Sequence, residues 1–216
     1  RAVSREYEEE RDQQIVFLLD CGRKMHARDG ALSHFDHALD AVLLLAHVAL
    51  RQGDAVGLLA FSGAPRWLAP RKGSKQLDRV LNSVYDLSSG TRASDYLDAA
   101  QQLSVRLAKR ALVVVVSNLR DEDHEELRLA ARLLGRRHLV LVASMKERAL
   151  STALATRVVD LDSALTVSAT HQYLHARRRA HDLLRKSGVL ALDAEPQQLA
   201  VALVNGYLDV KASGIL

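Results

Sequence analysis

Asp20 ends the apolar run Gln14-Ile15-Val16-Phe17-Leu18-Leu19-Asp20-Cys21-Gly22, and no residue of the chain is better placed to do chemistry. Five bulky or β-branched residues in succession read as a strand buried on both faces, as in a parallel sheet. A carboxylate directly after such a strand stands at the carboxyl edge of the sheet, where open α/β folds place their ligand sites. There it can hold a cation, accept hydrogen bonds, or attack phosphorus in the manner of phosphotransferases. Cys21 has Arg23, Lys24 and His26 close by in sequence, and a neighbouring cation lowers a thiol pKa. A nucleophile also needs an orienting histidine that sequence spacing does not supply, so Cys21 reads as a small buried hydrophobe. His171 and His175 lie four apart on a helical stretch, a spacing that can clamp a metal. Gln172 stands where a zinc protease has glutamate, and no third ligand follows. The pair reads as exposed helix histidines, and His34 and His37 read likewise. The glycines form neither Gly-x-Gly-x-x-Gly nor a Walker lysine motif, so a nucleotide enzyme lacks its phosphate cradle.

The elements that position Asp20 follow from hydrophobic period. Phe35, Leu39, Val42, Leu43, Ala46 and Leu50 predict a helix from His34 to Gln52, with Ser33 as its cap and Gly53 as its stop. Residues 54–61 form a second strand. Arg66-Trp67-Leu68-Ala69 returns antiparallel after a tight turn, with Pro65 and Pro70 marking a sheet edge. Trp67, with Arg71 and Lys72 after it, either marks a partner surface or packs under this hairpin. A helix over 75–85 and the polar loop 86–95 follow, then a helix to Arg110. Leu112-Val113-Val114-Val115-Val116 is a buried strand ending in Ser117-Asn118. A helix over 122–134 leads to a strand over 138–143. The last third, 147–216, is less regular: short and long helices over 147–155 and 166–186, a strand over 189–192, and a helix from Pro196 to Tyr207. The alternation predicts one α/β domain over 1–216, a mostly parallel sheet with an antiparallel edge hairpin and helices on both faces.

Composition excludes more than it selects. Hydrophobic content of 48% and charged content of 26% are those of an ordinary globular chain, and the net charge of +4 comes from scattered basic residues. No aromatic stacking pattern accompanies them, so nucleic acid is not expected as a partner. A single cysteine rules out an internal disulfide framework and fits a reducing compartment. No run approaches the ~18 apolar residues of a membrane helix.

The order of buried strand ending in aspartate, long helix, edge hairpin, polar loop and Val-rich strand ending Ser-Asn resembles the von Willebrand factor A-like domain. Three segments resemble more closely the bacterial domain-of-unknown-function family 58: the charge run Arg5 to Asp12, the stretch Gln52 to Ser62, and Leu203-Val204-Asn205-Gly206-Tyr207-Leu208-Asp209-Val210-Lys211. The resemblance spans nearly the whole chain and implies a Rossmann-like, three-layer sandwich. It also implies a non-catalytic protein, often encoded beside a MoxR-type AAA ATPase, whose relatives commonly carry membrane helices upstream. A chain that starts at Arg1 then reads as a fragment, the cytoplasmic domain of a membrane-anchored protein.

The archetypal A domain holds Mg²⁺ through an Asp-x-Ser-x-Ser loop, a hydroxyl from a second loop and an aspartate after a later strand. On that pattern Asp20 keeps the first position, Gly22 and Lys24 replace the two serines, and Asn118 replaces the later carboxylate. The second-loop hydroxyl falls on Thr91, which follows Gly90, or on Ser94, which precedes Asp95 and the small residues Ala99-Ala100. Mg²⁺ takes six oxygens at about 2.0–2.1 Å, so this degenerate set of Asp20, Gly22, Lys24, Thr91, Ser94 and Asn118 falls short of it. Lys24 either points to solvent or reaches the metal position and pairs with Asp20. The expected function is a protein-interaction module without metal or cofactor, with a MoxR-type ATPase as partner. The alternatives are an Mg²⁺-dependent version of the module and a phosphohydrolase using Asp20, against which the amide at Asn118 argues.

Overall fold

The computed structural model describes residues 13–120 and 123–215. The charge run Arg5 to Asp12 lies outside the described residues, as does Glu122, the expected start of the fourth helix. Strand β1 (Gln14–Asp20) sits at the centre of a six-stranded sheet. It pairs in parallel with β4 (Ala55–Phe61) on one side and β6 (Leu112–Ser117) on the other. Beyond β6 the parallel order continues through β7 (Leu139–Met145) to β8 (Leu190–Ala194). Beyond β4 lies the antiparallel edge strand β5 (Arg66–Arg71).

The period of two along β1 divides the core. Ile15, Phe17 and Leu19 face one layer, formed by α1 (His34–Arg51), α2 (Ser74–Val84) and α7 (Leu199–Ser213). Val16 and Leu18 face the other, formed by α3 (Tyr96–Arg106), α4 (His124–Gly135) and part of α6 (Leu161–Lys186). A strand apolar at every position is therefore the only kind that fits between two helical layers. The last third belongs to this arrangement: Leu199, Leu203, Tyr207 and Val210 of α7 lie in the same core cluster as β1.

Local chemistry sets the boundaries. Ser33 and Asp36 cap α1 reciprocally, the serine hydroxyl accepting from the Asp36 N–H while the carboxylate accepts from the Ser33 N–H. α3 ends at Arg106, short of the expected Arg110, because Leu107 turns extended and buries its side chain against the sheet. β5 runs past Ala69 to Arg71 by taking a register shift opposite Gly57. A side chain at Gly57 would meet the Leu68 carbonyl and the Pro70 nitrogen at 2.9 Å. The Gln76 amide covers two carbonyls exposed there, donating to Val56 at 2.8 Å and to Ala69 at 3.1 Å. Trp67 packs half-buried against the α3–α4 layer, beneath the hairpin.

Three further boundaries differ from the sequence reading. A small hairpin, β2 (Arg28–Asp29) and β3 (Leu32–Ser33), turns at Gly30 between β1 and α1. α6 starts at Leu161, where Asp160 and Ser163 form a capping box, after the short helix α5 (Arg148–Ala155). Pro196 opens a 3₁₀ turn rather than the helix itself, and α7 runs on to Ser213. At the far edge, the Arg185 guanidinium donates to the Ala191 carbonyl of β8 at 3.0 Å. Among the described residues no helix is long and apolar enough to cross a membrane.

Candidate functional site

The loops at the carboxyl ends of β1, β4 and β6 converge on Asp20. After β1 the chain makes a 3₁₀ turn over Arg23–His26, anchored by the fully buried Met25. This turn is stitched to the polar loop before α3: Gly90 N–H donates to the Cys21 carbonyl at 2.7 Å, and Arg23 N–H donates to the Arg92 carbonyl at 2.8 Å. On the third side Ser62 holds a left-handed φ of 66° and its hydroxyl accepts from the Asp95 N–H.

Asp20 is 0% exposed at the centre of these loops. Gly22 N–H donates to its Oδ1 at 2.7 Å. The Ser94 hydroxyl stands 2.8 and 2.7 Å from its two oxygens, and the Ser117 hydroxyl 2.6 Å from Oδ2. Tyr96 Oη lies 2.8 Å from Ser117 Oγ and 3.4 Å from Asp20 Oδ2. The Tyr96 ring is set edge-on against Phe61, 5.6 Å between centroids. With Asp20 ionised, donation runs from Tyr96 to Ser117 to the carboxylate. Burial raises the Asp20 carboxyl above its ordinary range; its donors oppose this, and the nearby Asp123 carboxylate adds to it. Burial likewise raises the Tyr96 phenol, so it stays a donor.

Of the two hydroxyls that compete in the sequence, Ser94 meets Asp20 while Thr91 is exposed. Gly22 explains how Ser94 gets there. A side chain at 22 would fall 2.4 Å from Ser94 Oγ and 3.0 Å from Asp20 Oδ1, so the serine hydroxyl fills the space that glycine leaves.

Lys24 corrects both expectations made for it. It is only 7% exposed, so it does not point to solvent, and its ammonium forms an ion pair with Asp123 instead of standing on Asp20. Asp123 is fixed in turn by the Arg120 N–H at 2.9 Å. Asn118 points its amide nitrogen at the Lys24 carbonyl, 3.3 Å away. The β6–α4 loop is held from behind by Arg177 of α6, which donates to the Leu119 carbonyl at 2.5 Å, to Ser144 and Met145, and with a two-pronged contact to Asp193.

Sequence reasoning passed over Tyr96, Ser117, Asp123 and Arg177. Ser117 and Tyr96 carried a usable signal, since each is a hydroxyl next to a residue already singled out. Asp123 and Arg177 become neighbours of the site only through the fold.

The donor set does not fit Mg²⁺, which needs about six oxygens with lone pairs directed at one point. Both Asp20 oxygens accept from protein hydrogens, position 22 has no hydroxyl, Asn118 presents N–H to Lys24, and a buried ammonium lies in the same loops. Among the described residues no three His, Cys, Asp or Glu side chains gather. The remaining candidates are also placed. Burial pushes the Cys21 thiol up to about 12, so it stays protonated. His171 and His175 are exposed on α6. His34 and His37, expected to be exposed, are buried at the start of α1, the helix that meets the 3₁₀ turn after β1 and strand β3. Burial lowers the His34 pKa.

A sheet of this order, with helices on both faces and a carboxylate at the end of its central strand, is a von Willebrand A-like α/β fold. The chain belongs to the family described as protein of unknown function DUF58, whose model matches residues 1–189. Solved structures agree on the fold. An aerotolerance-related membrane protein of Bacteroides fragilis NCTC 9343 is similar over 93% of this chain and 99% of its own, at 13% identity and TM-score 0.57. The PilB minor pilin of Streptococcus sanguinis is similar over 94% of this chain and 61% of its own, at 10% identity and TM-score 0.58. A von Willebrand factor type A protein of Catenulispora acidiphila is similar over 90% of this chain and 42% of its own, at 13% identity and TM-score 0.54. Among curated proteins no match is found.

Proposed function

We propose that the chain is a non-enzymatic protein-interaction module that binds its partner through the loops at the carboxyl ends of its strands, without a metal ion. The observation that carries this reading is the enclosure of Asp20. A carboxylate that is fully buried, with both oxygens accepting from Gly22, Ser94 and Ser117, presents no exposed oxygen to an ion or a phosphorus atom. Its role is to tie three loops into one rigid surface, whose exposed rim includes Arg23, His26, Thr91 and Arg92. Preformed, rigid loops reduce the ordering cost of association. The family resemblance supplies the partner class, a MoxR-type AAA ATPase.

The test is biolayer interferometry against a nucleotide-free MoxR-type ATPase of the same genome, in Mg²⁺ and in EDTA, paired with thermal melts at millimolar Mg²⁺. Expected are equal affinity in both buffers, no rise in melting temperature, and roughly tenfold weaker binding for Arg23→Glu with Arg92→Glu. Affinity that disappears in EDTA replaces this reading with the metal-dependent module. Phosphoester hydrolysis abolished by Asp20→Asn replaces it with an enzyme.

A further inference from the structure

The pole opposite Asp20 carries a different chemistry. β6, β7 and β8 are neighbours, and each is reached through residues containing two adjacent cations: Lys109-Arg110, Arg136-Arg137 and Arg185-Lys186. β6, β7 and β8 run parallel, so the three connections that lead into them, each carrying one of these pairs, lie at the same pole of the sheet. Neighbouring strands are about 4.8 Å apart, so these three connections enter the sheet side by side, and all six cations are exposed. No carboxylate occurs in residues 107–111, 136–138 or 185–189; the nearby acids are Asp182, 3.5 Å from Arg185, and Asp209, which lines the groove beside Arg185 and Ile215. Helix carboxyl ends attract cations, which accounts for basic residues within a last turn. It does not account for Lys109 and Arg110, which lie beyond the end of α3, nor for Arg137, beyond the end of α4.

A second observation selects the partner. Aliphatic side chains stand exposed among these cations: Val105 at 88%, Leu183 at 58% and Ile215 at 46%. Ile215 is tied to this pole by its carbonyl, which accepts from Arg110 at 2.9 Å. A single-stranded nucleic acid asks for aromatic platforms, and none of these loops holds an aromatic residue; a duplex answers the cations but, like an acidic peptide, offers nothing to the aliphatic side chains. An acidic peptide answers the cations and leaves the aliphatic side chains in water. A bilayer surface answers both, since headgroup phosphates meet the cations while aliphatic side chains enter the interfacial layer.

We propose that this basic pole is a peripheral docking surface for anionic lipid headgroups, which seats the chain on a bilayer with the Asp20 loops directed away from it. Glu6, Glu8, Glu9, Glu10 and Asp12 precede β1, so the full chain is the object to test. The measurement is cosedimentation with vesicles of phosphatidylcholine alone, or of phosphatidylcholine with about a third phosphatidylglycerol, at low and high salt. Binding to the anionic vesicles only, weakening with salt, is expected. Lys109→Glu with Arg136→Glu and Arg137→Glu reduces it roughly tenfold or more, and Val105→Ser with Leu183→Ser weakens it further, while both variants keep the parent's circular dichroism and melting temperature. Equal sedimentation with both vesicle types, no sedimentation, or indifference to the charge reversal overturns the proposal. So does tighter binding of duplex DNA or a polyglutamate peptide through the same cations with the two serine substitutions silent.

Discussion

Position 22 accepts no side chain while Ser94 holds Asp20, since even a methyl group would sit 2.4 Å from the Ser94 hydroxyl. Its φ of −76° is open to any residue, so the demand for glycine is one of space alone. Gly22→Ala is expected to destabilise by about 1–3 kcal/mol, read from the urea midpoint, as the serine is driven off the carboxylate. Ser94→Ala removes the clashing atom, so the double variant is expected to unfold close to Ser94→Ala alone, leaving a clear coupling energy in the cycle. Additive losses would show that the two residues do not share this space. Much of this site was legible in the sequence: the apolar run ending in Asp20 gave its centre, and the family pattern narrowed the second-loop hydroxyl to Thr91 or Ser94, between which only the fold chooses. The partner of Lys24 was not legible, because Asp123 lies 99 residues away and reaches it only through the β6–α4 loop.

At the scale of elements, Arg177 does what the alternation of strands and helices could not announce. One buried guanidinium joins α6 to the ends of β7 and β8 and to the loop after β6. Burial disfavours its charge, but Asp193 and Tyr173 together more than compensate, holding the guanidinium pKa above its ordinary value. Arg177→Met leaves Asp193 and the Leu119 carbonyl without their donors, for an expected loss of about 3–5 kcal/mol in chemical denaturation. Arg177→Lys is expected to recover little, because an ammonium cannot span the forked contact. A lysine variant as stable as the parent would show that charge alone, without the planar geometry, suffices. The elements themselves were readable because buried strands and capped helices advertise their periods. What escaped was set by tertiary demands: Leu107 leaving the helix to reach the sheet, Gly57 admitting a register shift, and His34 and His37 buried where period alone put them at a helix start.

Over the whole molecule, buried imidazoles govern the response to acid. Burial lowers the pKa of His34, His138 and His181, which are spread across both layers and the loops. A histidine whose folded pKa is depressed leaves the unfolded chain binding more protons, so its stability is intact above the ordinary 6.5 and falls as pH drops through it. Asp20 has the opposite sign: its carboxyl is raised from 3.8, so the stability that burial costs at neutral pH returns as pH falls through its folded value. The three imidazoles pull in the direction of acid lability and the one carboxyl against it, and the melting temperature is expected to fall from about pH 7.5 to about pH 5.5. Neither ring nitrogen of His138 has a hydrogen-bond partner, so His138→Leu is expected to flatten that slope without loss at neutral pH. An unaltered slope would remove His138 from the account. The two margins of the sheet have a consequence for the molecule in a crowded solution. At β5 the shifted register and Pro70, which has no N–H, spoil the pattern that a further strand would copy. At β8 the guanidinium of Arg185 already occupies the Ala191 carbonyl on a strand only five residues long. An open parallel sheet is a template for aggregation, and here both ends of the template are defaced, so growth of one molecule onto the next by strand addition is discouraged at each side.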